Sequence, residues 1–169
     1  MPIFGARRPR LDGLTREEEK RRDALNPEAT RRSDDAAAPA VAVLREKMAS
    51  ELGESLWPLL LGSQMMSTRR YGQAIEAFEE AASRDAGEVR AYYGAGMACY
   101  RAAEYKQEYG AAAVEDVAPG NLTVDNLYQE ALRHFRRAME LTPDKGERDE
   151  FASAVATVTR AVARKRGRL

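Results

Sequence analysis

The residues that carry most site chemistry are nearly missing from this chain. Its 169 residues include one cysteine, one histidine and one tryptophan. A single cysteine, Cys99, excludes an internal disulfide. It falls at a packing position with no base paired to it, so it reads as a buried apolar thiol rather than a nucleophile. No Cys or second His stands at metal-ligand spacing from His134, which reads as a structural or solvated helix residue. The carboxylates Glu79, Glu80 and Asp85 read as a solvated helix face. No Gly-rich phosphate loop is present. Neither an enzyme nor a cofactor or metal site is expected. Long apolar runs are absent too, which excludes a stretch of about 18 apolar residues able to span a bilayer. There is no excess of charge, with 27 Lys plus Arg against 27 Asp plus Glu, so no global field draws the chain to nucleic acid or membrane. The opening MPIFGARRPRLDG has the wrong order for a secretory signal, and Glu17, Glu18 and Glu19 argue against a transit peptide. A cytoplasmic protein is expected, with an organellar stroma or matrix as the alternative.

Period-2 runs of β-branched and aromatic residues are also lacking, while alanine, glutamate and arginine dominate. These favour helix, and the class is all-α. Residues 1–39 read as an arm and linker. A short helix over 16–25 follows from the capping box of Thr15 and Glu18 and ends at Asn26-Pro27. Residues 26–39, whose apolar members are alanines, read as linker. A helical domain follows over 40–169. Val41, Leu44, Met48 and Leu52 recur at helical spacing, with Gly53 as a stop. Ser55 is placed to cap the next helix, with Pro58 in its tolerated first turn. Arg69, Arg70 and the Tyr71-Gly72 step mark a corner, and 71–84 forms the partner helix.

Two stretches then repeat each other. Tyr71, Ala74, Phe78 and Ala81 match Tyr128, Ala131, Phe135 and Ala138, with Ile75 matching Leu132. Offsets of 3, 7 and 10 fall on one helix face. Gly96 lies 34 residues after Gly62, and Tyr105 lies 34 after Tyr71. A 34-residue period built on helix hairpins resembles the tetratricopeptide repeat family. The first repeat, about 55–88, supplies Leu61, Gly62, Tyr71, Ala74, Phe78 and Ala81. The second, about 89–145, supplies Tyr92, Gly96, Tyr128, Ala131, Phe135, Ala138 and Pro143. Departures are Pro58, Met65 and Ala86 in the first, and Ala95 and Cys99 in the second. Glu108 stands where an alanine belongs, so the second repeat carries an insertion at about 106–127. Part of it lengthens the helix of Tyr105 and Tyr109, and Thr123 or Asn121 caps the returning helix. The last segment carries Phe151, Val155, Val158 and Val162 as the stripe of a capping helix.

The resemblance implies a short right-handed superhelix of two hairpins, with an N-terminal packing helix and a C-terminal capping helix. The GAG at 94–96 lies where such repeats need small residues for close packing. It implies a concave groove lined by the first helices, here Leu56, Leu59, Ser63 and Met66, then Arg90, Tyr93, Met97, Tyr100 and Arg101. The expected partner is a peptide or helix of another protein. A groove filled by the chain's own flanking helices is the equal alternative. Leu59 and Ser63 replace the Lys and Asn of repeats that clamp acidic chaperone tails, which argues against that ligand. Two repeats are fewer than the three or so such arrays need, so a structural role in a complex or a homo-oligomer is the second reading. Contact with lipid or RNA through Arg164, Lys165, Arg166 and Arg168, or through Arg7, Arg8 and Arg10, is a weaker third.

Overall fold

A computed structural model describes residues 27–110 and 122–167, and these form an all-α chain. In order the helices are α1 (Pro27–Ser50), α2 (Leu56–Ser67), α3 (Tyr71–Arg84), α4 (Val89–Tyr109), α5 (Val124–Leu141) and α6 (Lys145–Arg166). Each packs on the next, and α2 also touches α4. α2 and α3 are joined by a short turn and form one helix hairpin, α4 and α5 pack on each other across the 110–123 connection as a second, and α1 and α6 flank the two.

The linker expected over 26–39 is corrected. From Pro27 the chain is helical without a break through Pro39 to Ser50. Alanines bury little, but they are the strongest helix formers, and a helix needs no core to form where a packed segment follows it. Pro27 sits at the first helical position, where its missing N–H removes no bond. The 16–25 helix lies outside the described residues. Helix α3 spans the 71–84 expected for it, and the corner ahead of it is made by Thr68–Arg70, with Tyr71 and Gly72 inside the helix rather than in the turn. Arg69 adopts the left-handed region at φ 60°, while its N–H and that of Arg70 return to the Met66 and Met65 carbonyls at 3.1 and 2.9 Å. This double return is the usual way a helix end satisfies its orphan carbonyls.

The predicted caps have mixed outcomes. Ser55 stands at the start of α2 without a side-chain cap bond. Thr123 accepts from the Asn126 N–H at 3.1 Å, as its position before α5 predicts. Asp144 does the same for α6, accepting from the Glu147 N–H at 2.8 Å.

The core runs as one seam through both hairpins. Phe78 and Phe135 are each 1% exposed. Phe78 rests against two helices at once. A Cβ on Gly62 of α2 would lie 2.7 Å from its ring, and one on Gly94 of α4 would lie 2.6 Å away. Phe135 stands in the same relation to Gly96 at 2.7 Å. The aromatic knobs of the second helices therefore press on bare backbone of the first helices. That contact explains the 34-residue spacing of Gly62 and Gly96.

At the N-terminal end, α1 is tied down by a buried arginine. Arg84 of α3 donates to the carbonyls of Met48, Glu51 and Glu54 at 3.0–3.1 Å and pairs with Glu80 at 2.9 Å. A guanidinium suits this place because its forked donors meet several orphan carbonyls at a helix C-terminus.

Candidate functional site

The groove residues expected from the sequence are brought together, but mostly beneath the surface. Leu59, Met66, Tyr93, Met97, Tyr100 and Arg101 are all buried. Ser63 is half-buried, its hydroxyl turned back to the Leu59 carbonyl at 3.2 Å. Arg90 is exposed and held by Glu88 at 2.7 Å. At Tyr93 the cover comes from α6 and α5. Phe151 stacks on Tyr93 at 4.8 Å, Phe135 of α5 lies 5.6 Å from the same ring, and the Tyr93 hydroxyl donates to Glu150 at 3.2 Å. Burial pushes the Tyr93 phenol well above its ordinary range, with the Glu150 carboxylate adding to the effect. Tyr100 lies against Tyr128 of α5 at 6.2 Å. A capping stripe was legible in Phe151, but its closeness to Tyr93 was not.

Accessible apolar surface remains on α2. Leu56 and Leu60 are each 41% exposed, and Leu52, in the turn ahead of α2, is 71% exposed. Leu56 and Leu60 are four residues apart, so they share one face of the helix. The opposite face of α2 is in the core through Leu59, Met65 and Met66.

A second cluster was missed. His134 of α5 is 3% exposed, and its Nε2 faces Glu79 Oε1 of α3 at 3.4 Å and Glu130 Oε2 at 4.0 Å. Arg133 joins them, its Nη2 lying 2.5 Å from Glu130, 3.3 Å from His134 Nε2 and 3.8 Å from Glu79. The His134 Nδ1 is buried with no hydrogen-bond partner. The His134 hydrogen bond, followed by the charges of His134 and Arg133, holds the Glu79 carboxyl below its ordinary value despite partial burial. Glu79 is thus no idle member of a solvated face. The i, i+4 spacing of Glu130 and His134 was a visible signal, whereas the approach of Glu79 from another helix was not. Cys99 of α4 is buried as expected, and desolvation raises its thiol, with Glu79 and Glu130 pushing the same way. A thiolate is disfavoured there.

The insertion is drawn together at its base. Lys106 donates to the Leu122 carbonyl, and the Tyr128 hydroxyl donates to Gln107 at 3.1 Å. Residues 111–121 lie outside the described residues. At the basic end Lys165 pairs with Asp125 of α5 at 2.6 Å, while Arg164 and Arg166 are exposed. Arg164 and Arg166 share that last turn of α6, and Arg168 lies outside the described residues. Among the described residues no helix is long and apolar enough to cross a membrane. No family model matches the chain, and neither a curated protein nor a solved structure matches it.

Proposed function

We propose that the chain is a non-catalytic protein–protein interaction module of the tetratricopeptide type, an adaptor or assembly factor that holds a peptide or helix of a partner. The observation that carries this reading is the leucine face of α2. Leu56 and Leu60 remain accessible on an element whose other face is packed, and Leu52 in the turn ahead of it adds to the exposed apolar surface. Exposed leucines at successive helical turns are the pattern an amphipathic partner helix pairs with. Leu56 and Ser63 belong to the groove positions that the family resemblance implies. The partner's place in this proposal is the α2 end of the array, since α6 already occupies the Tyr93 end. The 34-residue period and the glycine–phenylalanine seam support the family assignment within the proposal. A cytoplasmic setting suits a chain with one buried thiol.

The test uses the full chain as bait, alone and as the Leu56→Glu/Leu60→Glu variant, with quantitative mass spectrometry of what is retained. Partners should be lost from the variant while its circular dichroism stays helical. Equal retention by both would remove α2 from the account. A second reading is favoured by Val43 of α1, which is 57% exposed and adds apolar surface outside α2. In that reading the uncovered surface joins two copies of the chain, or builds it permanently into a complex. Sedimentation equilibrium separates the two, because self-association gives a mass that rises with concentration.

A further inference from the structure

We propose that Glu79, Glu130 and His134 form a binding site for a divalent transition ion of the zinc class, with the Arg133 guanidinium as its exchangeable plug. One ligand atom from each residue lies within 4.8 Å of the others. Zinc takes nitrogen and carboxylate oxygen at about 2.0–2.2 Å in a tetrahedral set, which separates ligand atoms by about 3.3–3.6 Å. His134 Nε2 and Glu79 already stand at 3.4 Å, and Glu130 must close from 4.0 Å. The two carboxylates are 48% and 38% exposed and have room to make that shift. His134 supplies the rigid member, since its ring is buried and its Nε2 points at the carboxylates.

The charge balance points the same way. Two carboxylates, with an imidazole that ligates only in its neutral form, carry a charge that a divalent ion cancels. At present one Nη of Arg133 sits within 2.5–3.8 Å of all three ligand atoms, so a cationic group occupies the focal point. Arg133 is 60% exposed and can leave for solvent without opening the core. Imidazole with carboxylates suits zinc or cobalt better than magnesium or calcium, which prefer all-oxygen shells. With three protein ligands, a fourth position remains for water. The ion would join α3 to α5 across the two hairpins.

The experiment is calorimetric titration of the full chain with Zn(II), paired with Co(II) and its visible absorption. Wild type should bind one ion, and Co(II) should show the bands of a low-coordinate nitrogen–oxygen site. Loss of a supporting contact in a metal site already costs about 10–100-fold in affinity, so Glu79→Gln should weaken binding at least about tenfold. His134→Gln should abolish the cobalt bands. Arg133→Gln should bind more tightly than wild type. The absence of binding, or equal affinity in wild type and Glu79→Gln, overturns the site. Equal or weaker binding by Arg133→Gln overturns the plug. Metal-free circular dichroism of each variant checks the fold. Should His134→Gln unfold, the exposed Glu79→Gln still decides.

Discussion

Replacing Gly94 with alanine tests the seam most directly. In an ordinary helix interior this change stabilises by about 1 kcal/mol, because alanine loses less conformational freedom than glycine. Here the new Cβ would lie 2.6 Å from Cε1 and Cζ of Phe78 and 2.8 Å from Cδ1. Carbon atoms in contact prefer about 3.5–4.0 Å, so a separation of about 1 Å must open. The ring has little room to retreat, since it is 1% exposed and also rests against Gly62, where a Cβ would meet it at 2.7 Å. Either α4 backs away from α3 or Phe78 leaves its rotamer. Overpacking of this kind costs about 1–3 kcal/mol, and a clash this short belongs at the upper end. After the propensity gain, the net loss is about 2 kcal/mol. Urea unfolding followed by circular dichroism measures it. Gly53→Ala is the control, because nothing lies within 4 Å of its Cβ and its φ is ordinary; it should change stability by less than about 0.5 kcal/mol. Trimming the ring should relieve the clash, so Gly94→Ala should cost much less in a Phe78→Leu background. Unchanged or increased stability of Gly94→Ala, or a loss undiminished in that background, would refute the account of the seam.

Arg84→Ala should lower stability by about 2 kcal/mol, since it removes the guanidinium bonds to the Met48, Glu51 and Glu54 carbonyls that tie the end of α1 and the turn after it to α3, and Arg84→Lys should rescue little of it; matched urea curves compare the three chains. Tyr93→Ala removes a ring wedged between α5 and α6 and should cost about 3 kcal/mol, so the melting temperature falls. A variant of unchanged stability would restore Tyr93 to a free groove surface. Glu79 has a carboxyl below its ordinary 4.5, so its contribution to stability is full above that value and is lost as pH falls through the lowered one. Carboxyl NMR should show the depressed titration in wild type and a return toward 4.5 in His134→Gln. Equal titration in both would uncouple Glu79 from His134.

Much of the fold was legible because its signals are local. Phe78 and Phe135 repeat at fixed offsets from tyrosine and alanine, so their helix faces could be read off one element at a time. Thr123 and the helix it caps are separated by a single step. The α1 boundary was misread because a run of alanines was judged by the core it lacks rather than by its intrinsic helicity. Tyr93 and Tyr100 could be assigned a face but not a neighbour.

The sequence by itself determined the all-helical class, the hairpin period and the residues that form the seam, since each follows from which side chains recur every turn of one helix. Only the tertiary structure decided that α6 closes over Tyr93, that Arg84 caps α1 and that Glu79 meets His134. Those pairings join residues 36 to 58 positions apart, and their contact depends on how far apart and at what angle separate helices pack, which no single helix encodes.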